Sequence, residues 1–129
     1  YNEIEKQKIF FKGCQNHKIL LKKLLLTLRK QNKKVLGYGA STKGNVLLQY
    51  CNIDSKLLNY IAEVNKFKFN KFTPGTNIKI ISEKEAKLKK PDYLLVLPWH
   101  FKDHIIKREQ EFLKNGGKLI FPLPDIEII

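Results

Sequence analysis

At 129 residues with 43% hydrophobic content, the chain has enough apolar material for one packed domain and too little length for two. Its formal charge of +13 would suit nucleic acid, but apart from Arg29 and Arg108 every cation is a Lys. These lysines are spread along the whole chain, a pattern that describes a solvated basic surface rather than a phosphate-reading patch.

The first residues, Tyr1 to Gly13, are too charged for a secretory signal, and no apolar run reaches the roughly 18 to 20 residues that span a bilayer. No membrane partner is expected. The chain opens at Tyr1 and contains no Met, so it is expected to be part of a longer protein. Cys14 and Cys51 form no CxxC pattern and are too few to staple a fold of this length. This usage points to a reducing cytoplasm and to no structural zinc.

Ile19, Leu20, Leu24 and Leu28, with Leu21 and Leu25, recur at helical spacing among lysines, which predicts an amphipathic helix over about residues 16 to 31. His17 is read as a surface histidine on it. The helix either docks on the sheet or bridges to another module. Residues 1–33 are therefore assigned to a linking region and 34–129 to the main domain.

Lys34 to Gly39 reads as a short buried strand entering a glycine turn, followed by a helix from about Ser41 to Cys51. Leu57 to Val64 is a second strand carrying an acid, Glu63, near its end. Ile78 to Ile81 is a third strand. Ser82 and Glu85 have capping-box spacing and start a short helix that Pro91 and Asp92 stop. Tyr93 to Leu97 is the fourth strand, Phe101 to Lys114 a helix ended by Asn115-Gly116-Gly117, and Lys118 to Phe121 the fifth strand. Ile126 to Ile129 adds an edge strand. Apolar strands alternating with helices predict a doubly wound α/β fold: a mainly parallel sheet of five to six strands with helices on both faces.

In such sheets a ligand lies beyond the carboxyl ends of the strands, where strand order reverses. The turn after the first strand is the place to look. Gly37 and Gly39 let backbone approach a ligand, and the N–H groups of Ala40, Ser41 and Thr42 at the helix start are expected to face an anion. A tight turn with no ligand would explain the two glycines equally.

Three familiar fingerprints fail at named residues. A dinucleotide site wants Gly or Ala at position 42, where Thr42 stands. A P-loop wants Lys and Ser or Thr after its second glycine, but Asn45-Val46 follow Gly44. A SAM-binding first motif continues glycine-rich after an acid, whereas Val35-Leu36 precede this turn and Ser41 follows it.

Several stretches in order resemble a family. GYGASTKGNVLLQYCNI at 37–53, Glu63-Val64-Asn65 with Lys68, and Phe72-Thr73-Pro74-Gly75-Thr76 come first. Pro91-Asp92-Tyr93 running on to LPWHFKDHI at 97–105, and GGKLIFPLP at 116–124, follow. Together they are similar to the C-terminal domain of sugar C-methyltransferases that act on nucleotide-linked keto-sugars. His100, Glu63 and Phe67 depart from that family's usual residues.

The resemblance implies a Rossmann-like domain that holds a nucleotide-diphosphate sugar. A central domain of the same polypeptide, outside this chain, then supplies SAM and the base, so the isolated chain is expected to be inactive and to bind no cofactor itself. Within the chain, phosphate contact is expected from Gly39, Ala40, Ser41 and Lys43, and a ribose contact from Glu63, with Asn65 and Lys68 in the loop after it. Thr73, Pro74, Gly75 and Thr76 form a ligand-facing turn, and Trp99 and His100 end the fourth strand on the ligand side. Gly37, Tyr38, Asn45 and Pro98 complete the set. Surface carboxylate, packed Trp and solvated Lys are the competing readings. His100 and His104 sit at i, i+4, but no third or fourth ligand accompanies them, so no metal is expected. Two other readings stay open, a dinucleotide-binding oxidoreductase module and a basic nucleic-acid-binding domain.

Overall fold

The computed structural model describes residues 18–129, so residues 16 and 17 of the expected first helix, with His17, and Cys14 lie outside the described residues. Helix α1 covers residues 18–30. Its buried stripe is Leu21, Leu25 and Leu28, with Leu24 partly covered, while Ile19, Leu20 and Leu26 face outward. All seven are apolar, so periodicity alone left the docking face open. The sheet selects it, because Leu21, Leu25 and Leu28 are the ones that join Leu48, Ile61, Leu95 and Ile120 in one core.

Then follow β1 (Val35–Tyr38), α2 (Thr42–Tyr50), β2 (Tyr60–Glu63), β3 (Lys79–Ser82), α3 (Glu83–Leu88) and β4 (Tyr93–Val96). The chain ends with α4 (Lys102–Arg108), α5 (Gln110–Lys114), β5 (Lys118–Phe121) and β6 (Glu127–Ile128). Strand order is β3-β2-β1-β4-β5-β6, with the first five parallel and β6 antiparallel to β5. This is the doubly wound sheet that the alternating pattern predicts.

Side chains alternate across the sheet as the pleat requires. Ile61, Leu95 and Ile120 point into the core shared with α1 and α2. Leu36, Tyr38, Ala62, Leu94, Val96, Leu119 and Phe121 point into a second core with Ala86 of α3 and Ile105 of α4. Both faces are covered, which is why the strands read as continuous apolar runs.

Two boundaries differ from expectation. Leu57 and Leu58 belong to a turn whose amides bond to Asp54 O, so Leu58 is apolar because it is buried and not because it is in a strand. The helix expected from Phe101 to Lys114 is divided at Glu109, whose backbone leaves the helical region (φ −101°, ψ 28°) and whose carboxylate accepts from Tyr38 Oη. Among the described residues no helix is long and apolar enough to cross a membrane.

Candidate functional site

Strand order reverses between β1 and β4. From β1 the chain crosses through α2 to β2, and from β4 through α4 to β5, on opposite sides of the sheet. The carboxyl ends of β1, β2 and β4 therefore leave a crevice, and a cavity of about 530 Å³ lies there.

Two glycines bring α2 close to this crevice. Gly39 has φ +80°, and a Cβ there would also lie 2.8 Å from Pro98. A Cβ at Gly44 would sit 2.4 Å from Leu97 Cβ, so the close helix-to-sheet approach that a dinucleotide fingerprint achieves at its third glycine occurs here at Gly44.

Glu63 organises the turn. Its Oε1 accepts from Ala40 N at 2.8 Å, and its Oε2 from Val64 N at 2.9 Å and Asn65 N at 2.8 Å. Asn65 Oδ1 accepts from Phe67 N and caps the 3-10 turn Lys66–Lys68. That turn brings Lys68 back, so that its Nζ donates to Ala40 O at 2.6 Å. Both backbone groups of Ala40 are thus held by side chains from β2 and the loop after it. Ser41 Oγ caps α2 by accepting from Gly44 N, and Ser41 N donates to Gly39 O.

The amides of Ala40 and Ser41, expected to meet a phosphate, accordingly have partners within the protein. Those of Thr42 and Lys43 make no hydrogen bond among the described residues. Lys68 makes no ion pair among them either, so its charge stands without a carboxylate partner.

Helix α4 and the turn before it supply the other wall through Phe101, His104 and Arg108, residues at i, i+3 and i+7. Arg108 Nη1 and Nη2 pair with the two oxygens of Glu83 at 2.8 and 3.0 Å, which ties α4 to the start of α3. Nη1 also donates to Tyr38 Oη at 2.6 Å, and Tyr38 Oη donates to Glu109 at 3.1 Å.

Burial and the neighbouring Glu109 charge push the Tyr38 phenol up to about 12. Because the folded value lies above the unfolded 10.0, the stability tied to protonated Tyr38 is complete below about pH 10. It is lost as pH rises towards about 12. Followed by phenolate absorbance, the titration should carry a late phase at about pH 12, and Tyr38→Phe should remove it. A titration in which the substitution leaves the late phase untouched would refute this.

The residues predicted from sequence divide into groups. Tyr38, Gly39, Ala40, Ser41, Glu63, Lys68 and Pro98 line the crevice cavity. Asn45, Thr73 and Pro74 line a neighbouring one of about 320 Å³, whose wall also includes Ala40, Ser41 and Lys68. There Asn45 and Gln49 donate to Pro74 O and Thr76 Oγ1 donates to Asn45 Oδ1, which ties the turn to α2, while Thr73 and Thr76 share a 2.5 Å hydrogen bond within the turn, with Gly75 beside the Gln49 amide.

Gly37 lies buried against Ile61, Asn65 is used as a cap, and Lys43 is exposed away from the crevice cavity. Trp99 and His100, expected on the ligand side, do not line that cavity. Trp99 packs against the core under α4 and His100 is exposed, because a 3-10 turn, Trp99–Phe101, rotates the chain after β4. Phe101 and His104 take the positions expected of Trp99 and His100. Glu83, Phe101, His104 and Arg108 line the cavity without having been predicted from sequence; the helical stripe 101, 104, 108 was the signal available for three of them. Among the described residues no group of three or more His, Cys, Asp and Glu is placed to hold a metal.

The model of the C-methyltransferase C-terminal domain matches residues 1–124. The chain is similar to C-methyltransferase NovU of Streptomyces niveus, with 40% identity over 97 residues, which is 75% of this chain and 23% of that relative. It thus spans under a quarter of the relative's length. With the ordered stretches from Gly37 to Pro124 and the doubly wound sheet, these matches establish that the chain belongs to the C-methyltransferase C-terminal domain family.

Proposed function

We propose that this domain holds a nucleotide-diphosphate sugar for a SAM-dependent C-methyltransferase, in the crevice cavity beyond β1, β2 and β4. The observation that supports this most is Lys68, a cation without an ion-pair partner among the described residues, lining a cavity of about 530 Å³ at the reversal of strand order. The volume suits a nucleotide-sized ligand, and the position is where doubly wound sheets bind ligands.

SAM, bound to another domain of the same polypeptide, supplies the methyl group for a carbon beside the sugar ketone. This chain's residues bind and orient. Lys68 meets the diphosphate as a point charge, Ser41 caps the helix that frames the crevice, and Phe101 offers a face to base or sugar. Glu63 acts through the turn it holds rather than on the ribose, since three backbone amides already occupy its oxygens. That occupancy also counts against a dinucleotide module, whose acid at the end of the second strand must be open to ribose hydroxyls. Binding energy from the remote nucleotide then fixes the sugar for the domain that carries out the chemistry.

Ligand titration by thermal and chemical unfolding tests the reading. A nucleoside diphosphate (dTDP, UDP or GDP) at one hundred times its Kd should stabilise the chain by about 2.7 kcal/mol. NAD, SAM and a short DNA duplex should not. Stabilisation by NAD alone, or salt-sensitive DNA binding without any nucleotide effect, would replace the proposal with one of its rivals.

A further inference from the structure

A guanidinium carries five N–H donors in one plane, and the structure accounts for three of those on Arg108. Nη1 donates to Tyr38 Oη and Glu83 Oε1, and Nη2 to Glu83 Oε2. The Nε–H and the remaining Nη2–H have no partner among the described residues. These two lie parallel on the same edge of the fork, the arrangement that takes two oxygens of one phosphoryl group.

The side chain is held before any ligand arrives. Glu83 grips it from the first position of α3 and Tyr38 from the end of β1, so little side-chain freedom is left to lose on binding. Arg108 also lines the cavity that contains Lys68. In the turn after β1 the Ala40 and Ser41 amides already have partners, and Thr42 and Lys43, whose amides do not, lie outside the lining of this cavity.

The geometry points to Arg108 as the residue that takes a phosphate of the ligand, through its Nε–H and Nη2–H edge, with Lys68 as the second cation of the same cavity. The inference rests on the proposed function for the anion's being a diphosphate. Glu83 and Tyr38 are positioning residues in it, because they touch the guanidinium and not the ligand.

Inorganic pyrophosphate, titrated calorimetrically into the chain, is the probe, with circular dichroism confirming that each variant is folded. Arg108→Lys keeps the charge and loses the paired donors, so binding should weaken roughly tenfold or more. Lys107→Met removes a neighbouring exposed cation on the same helix and should change affinity by no more than about twofold.

Glu83→Gln separates a ligand contact from a structural tie between α3 and α4. It should retain pyrophosphate binding, since Tyr38 still holds the guanidinium and a competing negative charge is gone. Arg108→Lys binding as the parent does, Glu83→Gln losing as much as Arg108→Lys, or a parent chain that does not bind pyrophosphate would each overturn the inference. Pyrophosphate binding through Arg108, with nucleoside diphosphates no tighter than pyrophosphate itself, would uphold it and defeat the nucleotide reading instead.

Discussion

Leu25→Ala is expected to destabilise the chain by about 3 kcal/mol, within the roughly 2 to 5 kcal/mol that truncating a buried Leu costs. Leu25 is 2% exposed and packs among Leu21, Leu28, Leu48 and Ile61, residues from three different elements. Loss of its methyl groups removes transfer energy and leaves a cavity that the sheet beneath cannot collapse to fill. Urea unfolding should show a lower midpoint with an unchanged slope. Leu20→Ala, on the outward face of the same helix, should change stability by no more than about 0.5 kcal/mol. The comparison decides where the folding unit begins. If α1 only links this domain to another, both substitutions will be nearly neutral; if it completes the core, they will differ as stated.

Glu63→Gln should cost about 2 to 3 kcal/mol although the two side chains have the same shape. The carboxylate serves Ala40 N with one oxygen and the pair Val64 N and Asn65 N with the other. An amide has one oxygen only. Turned to keep Val64 and Asn65, it presents its own N–H groups to Ala40 N, a donor facing a donor in a half-buried turn. The turn between β1 and α2 should then loosen, and nucleoside diphosphate affinity should fall with it. Unfolding measurements together with amide exchange at Ala40 test this. Unchanged stability and exchange, with weaker nucleotide binding alone, would return Glu63 to the role of a direct ribose contact.

Much of this molecule is legible in its residues. The switch from helical to strand periodicity and back marks every element of the sheet, including the edge strand at the C-terminus. Ser82 with Glu85, and Ser41 before α2, announce helix starts that the structure contains, with each Ser Oγ accepting from the amide three residues on. Gly39 marks the turn at the end of β1, where its positive φ and the packing of Pro98 leave room for no side chain.

The interior of the crevice was not legible in the same way. Trp99 and Arg108 show why. Trp99 was expected on the ligand side because it follows β4, but one 3-10 turn brings Phe101 rather than Trp99 to the cavity lining. Arg108 stood out only as one of two arginines among 25 cations. The residues that anchor it, Glu83 and Tyr38, lie 25 and 70 residues away in sequence.

Periodicity, caps and turns are exchanges between residues a few positions apart, so the sequence by itself determines which segments become strands and helices, their order, and hence a doubly wound sheet with a crevice at the reversal. Tertiary structure alone decides which face of α1 is buried, whether Glu63 faces a ligand or the backbone, and which cation is anchored with donors to spare. Those outcomes depend on contacts between elements that meet only after the sheet has closed, such as the 23-residue separation between Ala40 and Glu63, and no local pattern encodes them.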